Sequence, residues 1–351
     1  MNDTVVIYIQ AYNAERTLRR TLESVLQQTY SNWIVFLVDN GSIDETKKIA
    51  DDYAGKNPRI ICKHVFPNDI WYFYSFIEEY VKRPLGNYFT WLDADDEYKP
   101  KFLQETMSSI KKDNLGICVC GSDYIDASNG KILLTKSPEK NFIIDSDGFS
   151  KQFLEYRRFT DTIWGKVYSF SVLKAVEYKQ IPRIQFAPDS VIVLELFKKC
   201  YQTGMRIGFL QQSLHRYYQA QNTLSQQFPV DFVSDIHIYY AALVKYLKCF
   251  GQISKLNMDY LYAIWLGWIQ DYFIRICNED IPISQKLEAV NSIFSSPVTS
   301  AMLKRKADCR FQNLAARKEF CQSVRNWLCP YLNDERYGSV AQKIIAELKV
   351  N

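Results

Sequence analysis

Over its first hundred residues the chain alternates short apolar runs with longer stretches whose apolar positions recur at helical spacing. Thr4–Ile9 is almost wholly β-branched or aromatic, the composition of a strand covered on both faces. Leu18, Leu22, Val25 and Leu26 then form one helical stripe, and Asn13, in Gln10-Ala11-Tyr12-Asn13, offers an N-cap side chain for that helix. A second strand, Trp33–Val38, ends at Asp39-Asn40-Gly41-Ser42. Ser42 and Glu45 stand at capping-box spacing before a helix through Ile49 and Tyr53. A strand at Ile60–Cys62, a helix at Trp71–Val81 and a strand at Tyr88–Leu92 continue the order. Such alternation predicts an α/β fold with a parallel sheet and covered faces. Ligands bind outside the carboxyl ends of the strands in these sheets, so Ala11-Tyr12-Asn13, Asp39 and Asp93–Asp96 are expected at one crevice.

The last of these segments carries the most chemistry. In Trp91-Leu92-Asp93-Ala94-Asp95-Asp96 an apolar run ends in carboxylates two residues apart, which a strand would point to one side. One can take a ribose hydroxyl while the other binds Mg²⁺ or Mn²⁺ against phosphate. Alone, an Asp-x-Asp is as readily a solvated acidic turn. No Gly-x-Gly-x-x-Gly follows the first strand and no Walker A sequence occurs, which disfavours a nicotinamide or flavin enzyme. Carboxylates offered to phosphates need a metal ion between them, and this points to a nucleotide diphosphate leaving group.

Four blocks in order, Val5–Glu15, Leu22–Tyr30, Val38–Thr46 and Leu92–Glu97, resemble glycosyltransferase family 2. The resemblance spans roughly residues 4 to 225 and is most specific up to about Asp126. It implies a GT-A fold, Rossmann-like with a mainly parallel sheet and flanking helices. It also implies inverting transfer from a nucleotide sugar, most often a UDP-sugar. One departure is Gln10-Ala11, where the family usually carries Thr or Ile before Pro. Carried over by position, Asp39 matches the aspartate that hydrogen-bonds uracil, or else is a turn residue bonding its own backbone. The Ala11-Tyr12-Asn13 turn packs along the nucleoside. Asp93 and Ala94 neighbour ribose and phosphate, and Asp95 is the metal ligand. Asp96 is either a substrate contact or a helix-start residue before Pro100.

The resemblance places a general base in a Glu-Asp pair at a helix start. Here Ala187-Pro188-Asp189-Ser190 precedes a helix carrying Val191, Leu194 and Phe197, so Asp189 takes the aspartate position and Pro188 replaces the glutamate. Asp189 is then the catalytic base or a cap. In either case the helix dipole is expected to lower its pKa, leaving a weak base that relies on positioning. Leu210–Tyr218 reads as a last strand. In it His215 is either a further metal ligand, favouring Mn²⁺, or a strand histidine with satisfied nitrogens. Arg216 neutralises diphosphate or forms a surface salt bridge. Asn222–Ser225 resembles a loop over the nucleotide. Thr162–Tyr168 resembles the acceptor side of the family, with Trp164 stacking on a sugar or lying in the core and Lys166 reaching an acidic group. His64 and His237 have no partner that the sequence identifies.

Composition changes this picture little. The 351 residues are 47% hydrophobic and 23% charged, as in folded soluble proteins, and a net charge of +4 gives no case for nucleic acid. Nine cysteines show no metal spacing, and with no leader pattern they fit a reducing cytoplasm. The expected domains are a GT-A domain at 1–228, with a nucleotide-binding half at 1–126 and an acceptor-side half at 127–228, then an all-α domain at 229–351. A boundary near Gln226–Asp231 precedes two helical stripes. The first is Phe232, Ile236, Tyr240, Leu243, Val244 and Leu247; the second is Leu261, Ile264, Trp265, Trp268, Tyr272 and Ile276. Later helices start near Ser284, Ser300, Glu319 and Arg336. The Tyr260–Ile269 run is too short to span a bilayer. The aromatic helices suit a homo-oligomer interface or peripheral membrane contact. The cluster Lys304-Arg305-Lys306 with Arg310, Arg317 and Lys318 suits anionic headgroups, or is a solvated helix face. The function expected is a metal-dependent inverting hexosyltransferase acting from a UDP-sugar on a saccharide or lipid-linked glycan acceptor in surface or capsular polysaccharide synthesis. A binding module or scaffold of the same fold is the alternative.

Overall fold

The structure is a computed structural model and describes residues 3–220, 231–305, 311 and 316–348. Asn222–Ser225, positions 226–230, Lys306 and Arg310 lie outside the described residues. The chain divides into two compact units, Met1–Arg183 with Ala187–Phe228, and Ile184–Phe186 with Pro229–Asn351.

The first unit begins as the hydrophobic pattern predicts: β1 (Val5–Ala11), α1 (Leu18–Leu26), β2 (Trp33–Asp39), α2 (Thr46–Lys56), β3 (Ile60–His64), α3 (Tyr72–Tyr80) and β4 (Tyr88–Trp91). It continues through β5 (Glu97–Tyr98), α4 (Phe102–Asp113), β6 (Leu115–Asp126), β7 (Ile132–Lys136), β8 (Phe142–Ile144), α5 (Gly148–Lys151) and α6 (Phe153–Tyr156). Last come β9 (Lys166–Ser169), α7 (Phe170–Lys174), α8 (Pro188–Gln202) and β10 (Arg206–Gln219). One sheet runs β3-β2-β1-β4-β9-β6-β10-β5, with β7 added on β6 and β8 on β10. Pairing is parallel from β3 to β4 and between β6 and β10; β9 lies antiparallel between β4 and β6. This is the GT-A architecture. Val5 to Ile9 are fully buried, and Leu18, Leu22 and Val25 of α1 pack in the same core.

Two predicted helix starts are corrected. α1 begins at Leu18, not after Asn13, and α2 begins at Thr46 without a Ser42 cap. Asn13 has left-handed backbone (φ 49°) and its Oδ1 accepts the Ile43 N–H at 3.0 Å, while Ser42 Oγ accepts the Asn13 N–H at 3.0 Å. The two side chains therefore join the loops after β1 and β2, where the donors are amides of the facing loop instead of their own helix.

The second unit is helical: α9 (Phe232–Lys248), α10 (Lys255–Asn278), α11 (Ile283–Phe294), α12 (Pro297–Lys304), α13 (Arg317–Leu328) and α14 (Gly338–Glu347). Phe232, Ile236, Leu243 and Leu247 of the first stripe are buried, as are Leu261 and Trp265 of the second. Among the described residues no helix is long and apolar enough to cross a membrane. Two arginines of the basic cluster are engaged internally: Arg305 pairs with Asp259 at 2.6 Å, and the buried Arg317 donates to the Arg305 carbonyl.

The backbone of Ile184–Phe186 is hydrogen-bonded into this unit by the side chain of Asp235. Buried Asp235 accepts the amides of Gln185 (2.8 Å) and Phe186 (2.9 Å) through Oδ2. Asp235→Ala should therefore cost about 1.5–3 kcal/mol, the range for bonds to a charged group, measured by urea unfolding. An unchanged midpoint would mean that these amides find other acceptors.

Candidate active site

The Asp93–Asp96 loop is held from beneath by the polar face of α1. Thr17 Oγ1 donates to the Ala94 carbonyl at 2.9 Å, and Thr21 Oγ1 to the carbonyls of Ala94 (3.0 Å) and Asp96 (2.8 Å). Arg20 donates to the Asp95 carbonyl, pairs with Glu97 at 3.1 Å and lies 3.6 Å over the Tyr218 ring. With the carbonyls held below, Asp93 and Asp95 have no ion-pair partner among the described residues. Asp93 Oδ1 accepts the Trp91 indole N–H. Asp96 is corrected as a helix-start residue. It is fully buried and does not cap α4; Oδ1 accepts the Tyr218 N–H at 2.9 Å.

Burial pushes the Asp93, Asp95 and Asp96 carboxyls above the usual carboxylate range. Asp93 is pushed further by Asp96, Asp95 and Asp189, and Asp96 by Asp95. Asp96 Oδ2 and His215 Nε2 are buried 3.4 Å apart, each without a hydrogen-bond partner among the described residues. The orphaned Asp96 oxygen and His215 nitrogen, with Asp95 nearby, are the donor types that Mn²⁺ or Mg²⁺ takes, although no three of these atoms lie together as a ready-made set among the described residues. His215 is fully buried and stacks on Trp164 at 4.6 Å; its Nδ1 is 3.2 Å from Ser122 Oγ. Burial lowers its pKa to about 3, so it stays neutral. The contact that its Nε2 makes is with Asp96.

The nucleoside end lies at the tips of β1 and β2. Ala11 is buried, its carbonyl accepting the Asn40 N–H, while Tyr12 is 49% exposed beside it. Asp39 is buried, and both its oxygens are in use. Oδ1 accepts the Ser42 N–H at 3.1 Å, the turn bond expected of it, and Oδ2 lies 3.0 Å from His64 Nδ1. His64 Nε2 lies 2.9 Å from Asp51. Spare lone pairs still let Asp39 accept a ring N–H. His237 also finds partners, the Val233 carbonyl and Ser296 Oγ, both at 2.7 Å.

On the other side, Ala187 takes left-handed backbone (φ 53°, ψ 49°) immediately before Pro188, a conformation strained for alanine and disfavoured ahead of proline. It delivers Asp189 into the first turn of α8. The cap reading fails, because Ala187 is the N-cap and Asp189, inside the first turn, accepts the Ile163 N–H through Oδ2 at 3.2 Å. The expected pKa lowering is also reversed. Burial raises the Asp189 carboxyl, only partly offset by the Ile163 N–H and Lys166. A helix terminus is a weaker influence than loss of solvent.

Among the described residues Lys166 forms no ion pair with an acid. It is buried and donates to the carbonyls of Thr162 (2.6 Å) and Trp164 (3.1 Å), and burial pulls its pKa to about 7. Trp164 is no open platform. It is buried and stacked between His215 and Tyr217, the latter at 5.2 Å. Arg216 forms the salt-bridge alternative, 2.9 Å from Glu97, which it shares with Arg20. Thr17, Arg20, Thr21 and His64 are residues that sequence reasoning missed. The helical spacing of the first three was visible, but the loop they hold lies more than seventy positions away.

Residues 6–176 match glycosyl transferase family 2. The uncharacterized glycosyltransferase EpsJ of Bacillus subtilis is 25% identical over 283 residues, covering 80% of this chain and 76% of its own length. The uncharacterized glycosyltransferase YibD of Escherichia coli is 24% identical over 319 residues, covering 87% and 88%. Among solved structures, S. aureus TarS 1–349 in complex with UDP-GlcNAc aligns with a TM-score of 0.55 at 15% identity, covering 98% of this chain and 90% of that one.

Proposed function

We propose that this chain, whose residues 6–176 match glycosyl transferase family 2, is an inverting, divalent-metal-dependent enzyme moving a sugar from a UDP-sugar to a hydroxyl of a saccharide or lipid-linked glycan. The observation that carries this reading is a buried Asp189 held by the Ile163 amide, whose charge helps push the Asp93 carboxyl up. Inversion in one displacement needs a base on the side away from the leaving diphosphate. Asp189 fits that need: it is oriented by the Ile163 amide and strengthened as a base by burial. It takes the acceptor hydroxyl proton as the oxygen attacks the anomeric carbon.

Asp95 and His215, with Asp93 and Asp96 beside them, would hold Mn²⁺ or Mg²⁺, and the ion would supply positive charge to the departing diphosphate. Asp39 accepts a ring N–H of the base, and the exposed Tyr12 beside Ala11 and Asn13 covers the nucleoside. The TarS neighbour carries UDP-GlcNAc, which supports uracil as the base. Surface polysaccharide synthesis is the setting that the resemblance implies. The test is nucleotide release. With Mn²⁺, one UDP-sugar should yield UDP above the protein-free rate, stopped by EDTA, whereas GDP- and dTDP-sugars should not. Binding of UDP without turnover of any UDP-sugar would favour a binding module.

A further inference from the structure

We propose that a pocket formed by Lys136, Arg158 and Lys166 on the Asp189 side of the active site binds an anionic group, phosphate or carboxylate, carried by the acceptor. The inference rests on the glycosyl-transfer reading of that site.

The pocket is lined by these three cations together with Tyr124, Thr162 and Trp164. Its charge is graded by depth. Lys166 is buried at the floor, Lys136 keeps 26% of its side chain exposed, and Arg158 is exposed at the rim. Lys136 ends β7, which is drawn tightly onto β6 at Gly121. A Cβ there would come within 2.5 Å of Ser137 Cβ. The backbone beside Lys136 is thus closely packed, and its side chain lines the pocket.

Burying ammonium groups is costly unless carboxylates answer them, and here few do. The acid nearest Lys136 is Asp161, at 3.8 Å, and Asp161 also pairs with Arg157. Arg158 donates to a neutral carbonyl, that of Ser137, at 2.8 Å. Among the described residues no carboxylate lies within ion-pair distance of Arg158 or Lys166. The lysines register the imbalance. Burial lowers both pKa values, and Lys136 lowers that of Lys166 further. The pocket itself has room for about one water, so an anion would bind at its mouth, on the partly exposed Lys136 and the exposed Arg158, and complete this arrangement. Arg158 supplies a planar fork and Lys136 a point charge, the two usual partners of phosphate and carboxylate. Lys166, whose hydrogen bonds are taken, adds charge alone. Burial pushes the Tyr124 phenol up to about 12, so its hydroxyl remains a donor.

Position gives the pocket its meaning. Lys166 and Asp189 each perturb the other, and the Ile163 amide that holds Asp189 lies between Thr162 and Trp164 of the pocket wall. An anion bound here would sit beside the base that activates the acceptor hydroxyl.

The test is calorimetric titration of the protein saturated with UDP and Mg²⁺, so that the diphosphate site is filled. The probes are glucose 6-phosphate, glucuronate and glucose. One of the anions should bind at least about tenfold tighter than glucose. Lys136→Gln/Arg158→Gln should remove that advantage while UDP affinity stays as in wild type. The exposed Arg158→Gln alone should remove part of it and keeps the test valid if the double variant folds poorly. Preference for glucose 6-phosphate assigns a phosphate, and preference for glucuronate a carboxylate. Equal binding of all three sugars, no anion binding, or an undiminished anion advantage in the variants would overturn the proposal. Absence of UDP binding in the wild type would instead overturn the donor-site reading beneath it.

Discussion

Asp189→Asn should lower the transfer rate by about 10²- to 10⁴-fold, the usual contribution of a positioned base, while UDP still binds. Asparagine keeps the size of the side chain and an oxygen that can accept the Ile163 N–H, so the turn into α8 should hold its geometry. What disappears is the proton acceptor. The pH profile provides a second reading. Asp189 works only when ionised, and burial raises its pKa above the ordinary 3.8. The wild-type rate should therefore climb with pH through that raised value, and the variant should lack this limb. Steady-state kinetics against pH, with UDP affinity measured alongside, checks both. Undiminished transfer by the variant would remove Asp189 from the mechanism.

Asp95→Ala should abolish the stabilisation that UDP and metal together give the wild type. A ligand at about 100 times its dissociation constant, bound only by the folded state, adds about 2.7 kcal/mol. EDTA should erase the same shift in the wild type. Without ligands the sign reverses. Asp93, Asp95 and Asp96 have raised pKa values in the fold, so between the unfolded value of 3.8 and the folded value the native state binds more protons. Their contribution to stability is then lost as pH rises through that window and recovered as pH falls. Removing one carboxylate should leave the ligand-free protein no less stable near neutrality. Thermal melts with UDP and Mn²⁺, Mg²⁺ or EDTA separate the two effects. A ligand-free variant that melts several degrees early would mark Asp95 as structural.

Much of the first unit was legible because its signals are local. β-Branched runs and helical stripes name β1 to β4 and the helices between them, and their alternation implies parallel order with the loops at one edge. The pattern broke down where partners are distant. Asn13 has the composition of a cap but bonds Ile43, thirty positions on, because the loops after β1 and β2 lie together. The antiparallel insertion of β9 between β4 and β6 leaves no periodic trace. Electrostatic expectation failed at Asp189 for a related reason. Its helix terminus can be read from sequence, but the depth at which the fold places it cannot. Trp164 and Lys166 fall in a segment whose type is recognisable, yet only the fold shows the aromatic stack and the carbonyls that take them.

The threading of the chain at Ile184–Phe186 limits how this protein can be taken apart. A stop after residue 228 would keep those three residues but remove Asp235, which accepts two of their amides, and Phe232 and Trp268, which contact the Phe186 ring at 4.9 and 5.7 Å. Bare amides and an uncovered phenylalanine would then lie within five residues of Asp189. No single cut yields a minimal catalytic fragment, and exchanging helical units between relatives would require carrying 184–186 along with the graft.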